Sequence, residues 1–126
     1  MNTLFVILCM VFLHIIDDYV LQAPCLSKLK QKSYRQENAP EKKYKYDYIM
    51  ALIMHSISWA FMIMLPIAYY KPWCVNGLFA IVFAFNVAVH AIVDHLKANA
   101  KRINLWHDQL IHMLQIALTA VLLISG

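Results

Sequence analysis

The sequence predicts an all-α polytopic membrane protein in which four transmembrane helices form one bundle. Hydrophobic residues make up 62% of the 126 residues and charged residues only 14%, whereas a soluble domain is closer to one half apolar and about a quarter charged. The apolar segments reach about 20 residues, which is the length that spans a bilayer as a helix. They do not alternate in polarity as the strands of a membrane barrel do, and only two glycines are present to form tight turns.

Four helices and one long polar connection divide the chain, which we expect to form a single membrane domain over residues 1–126. The predicted helices cover about residues 3–22, 47–69, 77–97 and 104–124. Asn104 is the residue type that caps a helix N-terminus. The connection over residues 23–46 is predicted to be a solvated polar loop, with a short interfacial helix at Leu26 and Leu29 as the weaker alternative. The first apolar segment has neither a preceding basic residue nor a cleavage site, so we expect a retained helix.

The basic residues lie almost entirely on one side of the predicted bundle. Seven of the eleven Lys and Arg residues fall within residues 23–46 and three within residues 97–102, while Lys71 alone lies on the other side. By the positive-inside rule, this asymmetry predicts a multi-pass protein of the inner (cytoplasmic) membrane, with cytoplasmic basic loops and both termini outside the cytoplasm. The expected partner of the positive charge is therefore the lipid bilayer, and no nucleic acid is expected.

Histidine and aspartate recur near the basic ends of these helices at matching depths. Two helices read H-x-x-x-D, at His14 and Asp18 and at His90 and Asp94, and the last helix, which runs the other way, reads D-x-x-x-H. This reversal places the imidazoles roughly 12 Å and the carboxylates roughly 6 Å inside the membrane, by helical rise. His55 falls at the imidazole depth. We expect seven side chains to face one another: His14, Asp18, His55, His90, Asp94, Asp108 and His112.

Ionisable groups inside a membrane are costly and mark functional sites. Three interpretations of the cluster stay open. Imidazole nitrogen and carboxylate oxygen are ligands for zinc, manganese or iron, and seven candidate ligands fit one ion with supporting residues or two ions. We favour such a divalent metal site, with zinc or manganese as the expected ion. A hydrogen-bonded network that joins the helices and a proton path are the alternatives.

Neighbouring polar residues are expected to have lesser roles. Asp17 is expected to face the interface rather than bind metal. His95 and His107 are expected near the membrane surface, and Asn86 is expected to join helices by hydrogen bonds. Three glutamines either orient ligands and substrate or join helices: Gln22, Gln109 and Gln115.

Taken together, these motifs resemble a known family. They are H-x-x-x-D-x-x-x-Q from His14 to Gln22, the lone His55, H-x-x-x-D-x-x-K from His90 to Lys97, and D-Q-x-x-H from Asp108 to His112. The chain resembles, over nearly all of its length outside residues 23–46, a family of small integral membrane proteins from bacteria and phages to which no function is assigned. It is more loosely similar to predicted membrane-bound metal-dependent hydrolases, and that similarity implies hydrolase activity.

The expected function is that of a membrane hydrolase with a cytoplasm-facing metal site and a lipid-linked or phosphorylated substrate. Asp18, Asp94 and Asp108 are the expected catalytic carboxylates, because a carboxylate that is not on the metal can act as general base. The alternative is a non-enzymatic membrane protein that binds or inhibits a partner membrane protein or forms a pore, with a structural His/Asp cluster. Either function is compatible with an oligomer. The chain has no P-loop, G-x-S-x-G or H-E-x-x-H motif, so nucleotide, serine-hydrolase and zincin chemistry lack support.

Overall fold

Six α-helices, four of them long, make up the part of the chain that the structure describes. The computed structural model describes residues 2–126, apart from the side chains at positions 23 and 24. In order, the helices are α1 (Thr3–Ile16), α2 (Ala23–Leu29), α3 (Lys32–Asn38), α4 (Asp47–Tyr70), α5 (Gly77–Ala98) and α6 (Leu105–Ile124). A π-helical turn, Asp17–Leu21, prolongs α1, and two short 3₁₀ turns, Lys42–Tyr44 and Pro72–Cys74, precede α4 and follow it.

With the π-helical turn counted as part of α1, the long helices begin and end within about two residues of the positions that the hydropathy pattern indicates. Four helical segments are long and apolar enough to cross a membrane: Thr3–Leu21, Lys42–Tyr70, Gly77–Ala98 and Leu105–Ile124.

Asparagine side chains cap three of the helices, because Asn2, Asn76 and Asn104 each accept a hydrogen bond from a backbone N–H in the first turn. The predicted cap at Asn104 is therefore confirmed, with His107 N–H as its donor at 3.0 Å.

A single apolar core fills the end of the bundle that is remote from the basic segments. It brings together α1, α4, α5 and α6. Its fully buried large side chains include Met10, Trp59, Ile63, Ile67 and Ile116. The outward faces of the same helices are also apolar, with many exposed Leu, Ile and Phe side chains. An apolar outer surface of this extent is typical of proteins that contact a membrane or a partner.

Residues 23–46 are partly helical rather than a loop, although most of their described side chains are exposed. The alternative of a short helix at Leu26 and Leu29 is present as α2. Residues 23–46 contain α2 and α3, which lie against the basic end of the bundle, meaning the end that carries residues 22–46 and 97–105. Asn99 fixes the junction between the two short helices, because its amide donates to Lys30 O at 3.0 Å and its carbonyl accepts from Lys32 N–H at 2.6 Å. These bonds satisfy backbone groups that helix ends leave unpaired. The pattern of alternating Lys and Leu gave no reason to expect this docking.

The π-helical turn holds two consecutive aspartates inside the bundle. Successive residues of an α-helix point about 100° apart, which is why Asp17 was expected at the interface when Asp18 faces inward. The structure corrects that expectation, since Asp17 is buried. Ser58 on α4 gives Asp17 a partner by donating its hydroxyl to Oδ1 at 2.5 Å. Single π turns inside helices are often found at functional sites.

Candidate metal centre

The seven predicted site residues meet between the long helices near the basic end. His14 comes from α1, Asp18 from the π turn and His55 from α4, and the remaining four come in pairs from α5 and α6. All four imidazoles are essentially inaccessible to solvent. The carboxylates of Asp94 and Asp108 are buried as well, and only Asp18 retains a small exposed area. The helix faces that carry these side chains therefore point into the bundle.

Five of the seven form two overlapping groups with the spacing of metal ligands. Asp18, His55 and His90 make one group, and His90, Asp94 and His112 make the other, with ligand atoms in each group within 4.8 Å of one another. His55 Nε2 lies 3.3 Å from Asp18 Oδ1 and 3.5 Å from Asp94 Oδ2. His90 Nε2 lies 3.6 Å from Asp94 Oδ2, and His112 Nε2 lies 3.7 Å from Asp94 Oδ1.

These separations are longer than those of ordinary hydrogen bonds and suit ligands that share an ion. Protein N–H···O bonds are about 2.7–3.2 Å long, whereas two ligands about 2.1 Å from a tetrahedral zinc ion lie ~3.4 Å apart. Among the described residues, Nε2 of His55, His90 and His112 and Oδ1 of Asp18 have no hydrogen-bond partner although they are buried. Buried polar atoms without partners are rare and need an explanation. A cation between them would provide one.

The surrounding hydrogen bonds leave the lone pair of His112 pointing into the centre. Gln115 donates its amide to the backbone carbonyl and side-chain oxygen of Asn86, at 3.2 and 3.1 Å. Its own carbonyl oxygen therefore faces His112 Nδ1, 3.1 Å away, and the Nδ1–H of His112 donates to it. A neutral imidazole that carries its proton on Nδ1 has a free lone pair on Nε2.

Asn86 also donates to Thr119 at 2.8 Å, so its predicted role in joining helices is confirmed.

The buried Asp17 lies behind the ring of His55, on the side away from the ligand groups. Asp17 Oδ2 is 3.5 Å from His55 Nδ1, whereas Nε2 of the same ring faces Asp18 and Asp94. A carboxylate behind the ring is the usual support of a metal-bound histidine. Asp17 thus supports the centre from behind, a position that the sequence did not indicate.

His14, in contrast, forms part of the wall of the centre. Trp59 Nε1–H donates to His14 Nδ1 at 2.7 Å, so the other ring nitrogen carries the proton and donates to Gln109 Oε1 at 2.9 Å. Both nitrogens are occupied, and His14 belongs to neither ligand group. Trp59 also stacks on His90, with ring centroids 4.3 Å apart. Trp59 is not among the predicted site residues, although it lies four residues after His55 and therefore on the same helix face.

Asp108 also lies beside the two groups rather than within them. Its Oδ2 accepts hydrogen bonds from Lys97 Nζ and from the Gln109 amide, each at 2.9 Å. Its Oδ1 lies 3.3 Å from His112 Nε2 and has no hydrogen-bond partner among the described residues. Asp108 therefore keeps one free carboxylate oxygen at the edge of the centre.

The burial of Lys30 has no counterpart in the sequence pattern. Lys30 comes from the segment predicted to be a solvated loop, yet only 4% of its surface is exposed. Its ammonium donates to Asp94 Oδ2 and to Gln22 Oε1, each at 2.6 Å. Seven basic residues lie between positions 23 and 46, and no local signal separates Lys30 from the rest.

A polar cavity of about 380 Å³ connects the centre with the outside. Two aspartates of the ligand groups form its inner wall, and side chains that can hydrogen-bond line its outer part. The lining residues are Asp18, Tyr19, Gln22, Ser27, Asp94, Lys97, Leu105 and Gln109.

The two remaining histidines, His95 and His107, lie apart from the ligand groups. His107 is exposed, and His95 contacts Asn99 and Tyr48.

A comparison of this chain with protein-family models, curated proteins and solved structures finds no match.

The burial of Lys30 predicts a large loss of stability for Lys30→Met. Removing one partner of a buried ion pair costs about 3–5 kcal/mol, because the other charge stays buried without compensation. We expect the free energy of unfolding in mild detergent to fall by about that amount. Lys28→Met is the matched control, because Lys28 is exposed on the same short helix and should leave stability nearly unchanged. Equal stability of the two variants would mean that Lys30 is solvated.

Proposed function

We propose that the chain is an integral membrane protein that binds one divalent metal ion and uses it to hydrolyse a phosphorylated or lipid-linked substrate. The observation that carries the proposal is the set of buried atoms at the centre that have no hydrogen-bond partner among the described residues. They include Nε2 of His55, His90 and His112 and Oδ1 of Asp18 and Asp108. These atoms come from four helical segments, and the three histidines and Asp18 belong to two overlapping groups whose spacing suits metal binding. A structural network of histidines and aspartates would instead be expected to form hydrogen bonds of ordinary length.

The charge of the cluster supports the same conclusion. Four aspartates, at positions 17, 18, 94 and 108, and two lysines, at positions 30 and 97, belong to the centre and its immediate support. With neutral imidazoles, four negative and two positive charges leave a net charge of −2. A buried net charge of this size is very unfavourable without compensation, and one divalent cation neutralises it.

Five side chains would hold the ion: Asp18, His55, His90, Asp94 and His112. Mixed imidazole and carboxylate donors suit zinc and manganese. Five donors exceed a tetrahedral shell, so not every donor need bind at once, and a water molecule can take a vacant position. His14, Asp17 and Gln115 would hold the surrounding side chains in place. Supporting residues of this kind affect metal affinity nearly as much as ligands do.

The chemistry follows from the arrangement of Asp108 and the cavity. A divalent ion held by these residues would lower the pKa of a water molecule and so supply a nucleophile near neutral pH. Asp108, whose Oδ1 has no hydrogen-bond partner among the described residues, would accept the proton that the attacking water loses. As the water oxygen bonds to phosphorus, the phosphorus–oxygen ester bond would break, and the departing oxygen would take up that proton. A phosphate ester and water thereby give an alcohol and phosphate.

The cavity lining supports a phosphorylated substrate. Lys97 contributes an ammonium group, and Gln22, Ser27 and Gln109 contribute neutral donors at the outer part of the cavity. Phosphate oxygens accept strong hydrogen bonds from such groups. The volume of about 380 Å³ lies at the lower end of the range for small-molecule sites, which favours a small polar group.

The proposed setting is the inner membrane, with the basic end of the bundle in the cytoplasm. The four long apolar helices and their apolar outer faces support insertion as a multi-pass bundle. The placement of ten of the eleven basic residues at one end supports the orientation. The metal centre would then open toward the cytoplasmic leaflet.

Metal content and phosphate release from purified protein test the proposed activity. We expect about one zinc or manganese per chain and hydrolysis of a phosphomonoester that chelation abolishes and the metal restores. His90→Ala should lose the metal and lower the rate at least about 100-fold, more than the loss of a supporting residue would. His107→Ala is the control, since His107 is exposed outside the ligand groups. Metal-free protein that is unaffected by chelation would contradict the proposal.

Labelling of cysteines tests the orientation. Cys25 is exposed at the basic end, so a membrane-impermeant maleimide should label it only after cells are permeabilised. Cys74 lies at the other end, but burial raises the pKa of its thiol and makes it a poor nucleophile. Val75→Cys, at an exposed position beside it, is therefore the matched probe and should be labelled in intact cells. The opposite pattern would reverse the orientation.

A further inference from the structure

The polar cavity adjoins an apolar pocket at the start of α6. A second pocket of about 200 Å³ is lined by Leu105, Trp106 and Gln109. Leu105 and Gln109 also line the polar cavity, so the two spaces share a wall at the start of α6. One side of this wall is polar and leads to Asp18 and Asp94, and the other side is almost wholly apolar.

The shared wall lies on the outer surface, where a bilayer would contact the bundle. Leu105 is 56% exposed and Trp106 is 79% exposed, and Tyr19, at the end of the first helical segment, is 57% exposed. Tyr19 and Leu105 both line the polar cavity, so exposed side chains of the π turn and of the start of α6 border it. We call this border the sideways opening. Aromatic side chains of this kind prefer the headgroup level of a membrane.

Access from the basic end is more restricted. The α2 helix contributes Ser27 to the cavity wall. Lys30, at its end, bridges Gln22 and Asp94. These contacts hold α2 against the end of the centre that faces water. The sideways opening, in contrast, is bordered by exposed apolar side chains.

Three basic residues lie on the cavity wall or in the turn before α6. Lys97 lines the cavity, and Lys101 and Arg102 are exposed in the turn that leads into α6. Basic residues at a membrane surface attract anionic lipid headgroups. A ligand that suits both pockets has a small anionic head and an apolar chain.

We propose that the substrate is a lipid with a terminal phosphate, which enters sideways from the bilayer between the π turn and α6. This inference rests on the proposed function and specifies its substrate. The phosphate occupies the polar cavity near Lys97, and the acyl chain lies over Leu105 and Trp106. A terminal phosphate is favoured over a bulky headgroup because the cavity is small and carries an ammonium group beside the proposed metal centre.

Quenching of tryptophan fluorescence by brominated lipid tests this site without requiring catalysis. The full chain in phosphatidylcholine nanodiscs would contain a few per cent of phosphatidic acid with brominated acyl chains. Trp73→Phe leaves Trp106 as the exposed tryptophan, and Trp106→Phe leaves Trp73, at the opposite end of the bundle, as its matched control. We expect at least about twofold stronger quenching of Trp106 than of Trp73, as lipid enrichment beside basic residues would produce. Equal quenching overturns the proposal.

Two further measurements distinguish a specific binding site from a general attraction of anionic lipid to basic residues. Ser27→Phe fills the cavity and should abolish the selective quenching of Trp106, whereas Ser33→Phe, at an exposed position of α3, should preserve it. Unbrominated phosphatidic acid should restore the fluorescence, and phosphatidylglycerol of equal charge should not. Quenching that persists in Ser27→Phe, or that phosphatidylglycerol relieves equally well, overturns the proposal.

The outcomes also distinguish this inference from the proposed activity. Selective quenching without phosphate release from any ester would keep the lipid site and reject the hydrolase. Hydrolysis of a water-soluble phosphomonoester without selective quenching of Trp106 would keep the hydrolase and reject the lipid site.

Discussion

Buried charge in an apolar bundle is the constraint on which the rest of this structure depends. Four aspartates, four histidines and two lysines converge between helices that are apolar on their outer faces. The transfer of an unpaired charge into such an interior is far more costly than the total stability of a small protein. The helices can pack in this way only if each charge is neutralised by a neighbour or by an ion.

The contacts around the centre divide into an outer and an inner layer. In the outer layer, the hydrogen bonds have ordinary lengths, from Lys30 to Asp94, from Lys97 to Asp108 and from Trp59 to His14. In the inner layer, the imidazole nitrogens and carboxylate oxygens lie 3.3–3.9 Å apart. The outer layer thus holds the surrounding side chains in place, and the inner layer contains two overlapping groups of candidate ligands. Such a division is also found in metal sites, where supporting residues orient the ligands.

Sequence patterns predicted the inner layer better than the outer one. His90 and Asp94 are four residues apart, and Asp108 and His112 repeat this spacing in the reverse order. The spacing specifies both the helix face and the depth of each side chain. In the structure these faces point into the bundle. The outer layer depends on tertiary contacts that leave no periodic signal. Lys30 is one of seven basic residues between positions 23 and 46, and its burial follows from the docking of α2. The inward position of Asp17 depends on a π turn, which hydropathy does not predict.

X-ray absorption at the metal edge tests the central claim most directly, because it reports the ligands of the ion as well as its presence. The account predicts one zinc or manganese ion with two or three imidazole nitrogens and one or two carboxylate oxygens at about 2.0–2.2 Å. His112→Ala should reduce the imidazole scattering by the contribution of one ring, and His107→Ala should leave the spectrum unchanged. A protein that binds no ion, or an ion whose spectrum changes with His107 and not with His112, would contradict the account.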